Sequence, residues 1–191
     1  MKSFDKRTKI MTAAVELLAE KGFHRVAMPM IAAKANVAVG TIYLYFAGKD
    51  ELIIKLFQEL ENKIAATIRE GFPIEGPIRE RFLYLTGKIL RFLIDNPLHF
   101  RYIEQFMNSP YGISRRRDKF LDKTGHDDIL IPLFEEAIAE HIVKDIPIIG
   151  LFSLAVAPLI FLARDHILGF LTLDEALIQQ TTEACWDAVK R

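Results

Sequence analysis

Apolar residues recur along this chain at the three- and four-residue spacing of one helix face, and no stretch alternates as a strand does. Met11, Ala14, Val15, Leu18 and Ala19 form such a stripe, which predicts a helix from about Phe4 to Lys21 stopped by Gly22. The stretch GFHRVAMPMIAAKANVAVGTIYLYFAGK (22–49) then predicts two short helices joined by a tight turn. Pro29 suits a first helical turn, where its missing N–H costs nothing. Asn36 ends that helix, because asparagine enters the left-handed conformation more easily than most residues. Val37 plugs the corner. A second helix from about Val39 to Phe46 turns Ile42 and Phe46 inward and leaves Thr41, Tyr43 and Tyr45 to face outward. This is the helix-turn-helix plan, whose second helix is placed to enter a DNA major groove.

Downstream, Ile53, Phe57, Leu60, Ile64 and Ile68 mark the inner face of a helix over about 50–70, with Asp50 and Glu51 favouring its N-terminal dipole. GFPIEGP (71–77) is a loop. A helix over Ile78–Asp95 ends before Asn96-Pro97, since proline disfavours helical geometry in the residue before it. Another runs from about Leu98 to Met107, and NSPYG then turns the chain. The basic run Arg115, Arg116 and Arg117 reads as solvated surface. A further helix is expected from about Asp127 to Val143, passing through Pro132. From Ile146 to Ala163, 18 residues carry no charge. That is the lower limit for a membrane span, but two prolines, a glycine and charged flanks favour a helix buried in the core and against another subunit, bent at Pro158. Thr172-Leu173-Asp174-Glu175 reads as a capping box opening the last helix. The fold class is all-α.

With 191 residues, about half of them hydrophobic, the chain can bury a substantial core. The formal net charge is zero, yet residues 1–49 carry eight Lys or Arg against three acids, so the remainder is equally acidic. A basic head on an acidic body suits a DNA reader joined to a second domain. Lys6, Arg7 and Lys9 either reach phosphates or are merely solvated. Cys185 is the only cysteine, compatible with a reducing cytoplasm, and residues 1–11 lack the apolar run of a signal peptide.

The reading head resembles the TetR family of transcriptional regulators over about residues 6–56. Gly22, Ile31, Ala32, Ala35, Val37, Gly40, Thr41, Tyr43, Tyr45, Phe46, Lys49 and Leu52 stand at family spacing. Asn36 replaces the usual Gly, Ala38 the Ser that caps the second helix, and Val26 and Ala27 a common Thr. The resemblance implies an N-terminal three-helix DNA-binding domain (1–49), a linking helix (about 50–70), and an effector-binding and dimerisation domain (50–191). It also implies DNA-binding residues. Tyr43 and Tyr45 would stack on or bind the sugar-phosphate backbone, and Lys49 would meet a phosphate. Val39, Gly40 and Thr41 would face base edges or the backbone, Val39 packing on a thymine methyl.

No phosphate loop, nucleophile elbow or paired-His zinc motif is present, and the histidines lack metal-ligand spacing, so neither an enzyme nor a cofactor or metal is expected. His126-Asp127-Asp128 is the nearest approach to a cluster and reads as a polar helix start. The central region is rich in aromatics, of which Tyr102, Phe106, Tyr111 and Phe134 are candidates to line an apolar effector cavity. The expectation is a cytoplasmic, ligand-responsive regulator, a repressor. It would bind a palindromic double-stranded operator as a homodimer through its last two helices, without a membrane, and be released by a small, largely apolar effector. The alternative is a helical small-molecule or lipid-binding protein without DNA affinity.

Overall fold

The computed structural model describes residues 2–120 and 129–191, and within them the chain is helical. Ten α-helices follow one another: α1 (Lys2–Lys21), α2 (Met28–Ala35), α3 (Val39–Tyr43), α4 (Lys49–Arg69), α5 (Ile78–Asp95), α6 (Pro97–Met107), α7 (Pro110–Phe120), α8 (Leu130–Ala139), α9 (Ile148–Ile167) and α10 (Glu175–Val189). A single 3-10 turn, Phe23–Arg25, joins α1 to α2. Among the described residues the only β pairing is one isolated bridge between Val143 and Lys190.

The helices form two compact units whose membership does not follow chain order. The first holds Met1–Asn62 and Pro97–Arg116, the second Lys63–Asn96 and Arg117–Arg191. The first unit extends beyond the 1–49 head that the resemblance implies, taking in α4 up to Asn62, α6 and the first part of α7. Phe106 stacks on Phe57 of α4, with ring centroids 3.8 Å apart and planes 6° from parallel. The Tyr102 hydroxyl donates to the Ile53 carbonyl at 2.5 Å, and Gln105 Nε2 donates to the Ala19 carbonyl at 3.0 Å. Two aromatics one turn apart thus seal α6 onto the core formed by Ile10, Leu18, Ile31, Ile42 and Leu52. α7 follows closely because Gly112 has no side chain: a Cβ there would lie 2.3 Å from the Phe106 carbonyl oxygen and 2.6 Å from Met107 Cα.

In the second unit α5, α9 and α10 pack on one another and α8 covers α5. Phe82 sits centrally, 5.2 Å from the Trp186 ring and 6.2 Å from Phe134. α9 is long and apolar enough to cross a membrane by composition. Its Leu151, Ala155, Leu159 and Ala163 nevertheless recur every four residues and are fully sealed, the pattern of a core helix with one buried face. Its other face leaves Ile149, Leu154 and Phe161 exposed. α10 is capped by Asp174, whose carboxylate accepts the Leu177 N–H at 2.8 Å; Thr172, at the head of the expected capping box, lies outside the helix. α8 is shorter than its sequence pattern suggests, and the start expected at Asp127, with His126-Asp127-Asp128, falls outside the described residues.

Two outcomes are expected. Gly112→Ala should destabilise the fold by about 1–3 kcal/mol, because the obstructing atoms are backbone; chemical denaturation measures it. The Arg81 guanidinium beside Glu136 holds that carboxyl below its ordinary value near 4.5. The pair therefore adds a small, solvent-screened stability that is present above that value and lost as pH falls through the lowered one. Melting curves of the unaltered chain and Glu136→Gln should differ near neutrality and converge in acid.

Candidate nucleic-acid interface

The reading helix is positioned by a turn that the local sequence dictates. Asn36 adopts φ 53°, ψ 50°, and its N–H returns to the Ala32 and Ala33 carbonyls. The Val37 N–H reaches the Ala32 carbonyl at 3.0 Å, closing the last turn of α2 in the usual left-handed ending. Ala38 is extended and begins α3 with no side-chain cap, as the missing serine hydroxyl implies. α3 is five residues long, shorter than the expected Val39–Phe46, and the three residues after it turn out of the helix. What holds it is Ile42, fully buried, followed by buried Phe46, over whose ring the Arg7 guanidinium lies at 5.7 Å.

With Ile42 and Phe46 turned inward, Tyr43 and Leu44 turn out. Tyr43 is 53% exposed and Leu44 82% exposed, while Gly40 also faces solvent. Val39, Thr41 and Tyr45 are half-buried, Val39 and Tyr45 leaning on the head core. Lys49, also half-buried, is the first residue of α4. The six expected DNA-binding residues thus lie on α3, in the turn after it, or, for Lys49, at the first position of α4. Among the described residues, neither the Thr41 and Tyr43 hydroxyls nor the Lys49 ammonium has an intramolecular partner. That turn is fixed by Glu51, whose carboxylate accepts the Ala47 N–H at 2.6 Å.

Leu44 is the residue sequence reasoning missed. Two positions beyond Ile42 on a helix is about 200° away, so a buried Ile42 already required Leu44 to point outward. The head's basic residues divide as well. Arg7 pairs with Glu59 at 2.5 Å and Lys34 with Glu16 at 2.8 Å, so these two serve the head's own structure.

Of the four aromatics expected to line an effector cavity, Tyr102, Phe106 and Tyr111 come together as core packing of the first unit, and Phe134 belongs to the second unit. Tyr102 and Phe106 are sealed in the first unit's core, and burial pushes the Tyr102 hydroxyl's pKa up. Tyr111, half-buried, stacks on Phe106 and donates to Asp50. Phe134 belongs to the second unit, buried against Phe82. A cleft of about 660 Å³ opens elsewhere in the second unit, walled by Phe72, Ile74, Ile129, Pro132 and Leu133. Arg81 lies in its wall and donates from Nη1 to Glu136 Oε2 at 2.8 Å.

With this geometry in hand, comparison with known proteins gives its family. Residues 10–56 match the family described as bacterial regulatory proteins, tetR family, and residues 77–190 match the tetracyclin repressor-like C-terminal domain. The chain belongs to the TetR family. An HTH-type transcriptional regulator of Haemophilus influenzae is 27% identical over 98% of this chain and 97% of its own length. The crystal structure of a TetR-family regulator from that organism, 26% identical, superposes with a TM-score of 0.83 over the whole of both chains. The regulator FadR of Bacillus subtilis, solved in complex with stearoyl-CoA, shares the fold with a TM-score of 0.75 at 21% identity, over 96% of this chain and 97% of its own. Like its relatives, this TetR-family chain is a DNA-binding transcriptional regulator, not an enzyme.

A Cβ added at Gly40 meets no heavy atom within 4 Å, so nothing inside the protein requires glycine there. Gly40→Ala should keep or raise stability, by up to about 1 kcal/mol, while weakening binding to a duplex that approaches the backbone at that point. Denaturation and fluorescence anisotropy on the same preparation separate the two effects.

Proposed function

We propose that the chain is a repressor that binds a palindromic operator as a homodimer and releases it when a small, largely apolar effector is bound. The observation that carries this reading is the outward surface of α3 and the start of α4. There an exposed tyrosine, an exposed leucine, a threonine hydroxyl and a lysine stand without partners of their own on a basic head. In this reading Tyr43 and Tyr45 lie against the sugar-phosphate backbone and Lys49 meets a phosphate. Val39, Gly40 and Thr41 face base edges or the backbone, Val39 offering methyl contact to thymine. Leu44 adds a second apolar contact.

One five-residue helix reads too little sequence, so two heads about one helical turn of DNA apart, near 34–36 Å, are needed. The exposed apolar residues Ile149, Leu154 and Phe161 of α9 support a two-fold interface built from α9 and α10. The cleft beside Phe72, Ile74 and Leu133 is the effector site we favour. Its volume lies within the range of small-molecule pockets and its walls are mainly apolar, and a neighbour in fold was solved with an acyl-CoA. The effector acts by preferring a head spacing unsuited to adjacent grooves, since only a difference in affinity between the two states can release DNA. Such a regulator works in the cytoplasm.

Anisotropy with duplexes covering the DNA upstream of the chain's own gene tests the reading. Binding should be salt-sensitive and confined to a palindrome. Tyr43→Ala should weaken it about tenfold, and Lys49→Ala should weaken it on all sequences and lower the salt slope by about one. No salt-sensitive binding to any palindrome there would instead favour a small-molecule-binding protein without DNA affinity, whereas full affinity in both variants would overturn the roles given to Tyr43 and Lys49.

A further inference from the structure

The first turn of α4 is held from outside by α7. The Tyr111 hydroxyl donates to Asp50 Oδ1 at 2.6 Å, across 61 positions of sequence. Asp50 directly follows Lys49. Further along α4, Arg115 Nη2 donates to Glu61 Oε2 at 3.0 Å, so α7 lies tied to α4 at two points. The Tyr111 ring has little freedom, because it stacks at 6.3 Å on Phe106 and faces Phe23 at 6.4 Å. Behind it Gly112 lets α7 start in close contact with the backbone of Phe106 and Met107 at the end of α6. The hydroxyl that holds Asp50 is therefore placed by the head's own core.

The other end of α7 has different company. From Arg117 onward it belongs to the second unit, where Lys119 lies 4.9 Å over the Phe152 ring of α9 and the Phe120 ring is 5.2 Å from it. One helix thus grips α9 with its last turn and the residue beside Lys49 with its first.

We propose that Tyr111 and Asp50 are positioning residues for Lys49. Their hydrogen bond fixes the first turn of α4, so that displacement of α7 withdraws the lysine from its phosphate without passing along the length of α4. The inference rests on the DNA-binding reading above and adds a second route by which an effector in the second unit reaches the operator.

The test uses the full chain and a fluorescent duplex that the unaltered protein selects from a randomised pool. Tyr111→Phe keeps the ring and its stacking and removes only the donor; Asp50→Ala removes the acceptor. Each should weaken binding about three- to tenfold, the worth of one such hydrogen bond. The double variant should be no weaker than either alone. Asp50→Asn, which keeps Oδ1 as an acceptor, should bind as the unaltered chain does. In a Lys49→Ala background Tyr111→Phe should have no further effect. An additive loss there, or an equal loss in Asp50→Asn, overturns the assignment in favour of general stability or simple charge. Amide exchange of the DNA-free protein keeps the two readings apart. Tyr111→Phe should speed exchange across residues 48–53, and unchanged exchange overturns the couple whatever the DNA results. A chain that selects no duplex while exchange quickens as expected overturns the DNA reading, and with it the role given to Lys49.

Discussion

A helix of five residues cannot hold itself together in water, where even isolated helices of a dozen residues are marginal. α3 exists because Ile42, in its last turn, is fully buried in the core that residues of α1, α2 and α4 build. That one apolar anchor, with Phe46 just beyond it, fixes the rotation of the helix about its own axis. Everything on the opposite side is then free of structural duty. Tyr43, Leu44 and Gly40 contribute little to the fold, so their identity is open to demands from outside the protein.

The helix-turn-helix corner was legible because its signals are local. Asn36, Pro29 and the inward pair Ile42 and Phe46 each act within a turn of their own position, and the structure places them as the pattern requires. The outward turn of Tyr43 was legible for the same reason; that of Leu44 was passed over, and Tyr45, expected to face outward, is half-buried against the head core. Helix α5 likewise runs from Ile78 to Asp95, bounded by Pro77 and the Asn96-Pro97 pair.

The partners of amphipathic faces were not legible. Tyr102 and Phe106 are spaced as one face of α6, but periodicity states only that the face is covered, not what covers it. The Ile53 carbonyl and the Phe57 ring do so, which turns an apparent pocket lining into the seam that joins α6 to the head. The close approach at Gly112 was equally hidden, since a glycine two residues after a proline reads first as a turn. Long-range pairings such as Tyr111 with Asp50 leave no trace in either local segment.

α9 presents a sealed face to its own unit and an apolar face to whatever lies beyond it, with Phe161 59% exposed and Phe170, just past its end, 78% exposed. The free energy of this chain is therefore not a property of the isolated molecule. Any surface that covers α9 binds the folded form in preference to the unfolded one, and where that surface is a second copy of the chain, as proposed above, mass action makes the unfolding temperature rise with protein concentration. A dilute sample and a concentrated one would be, thermodynamically, different materials.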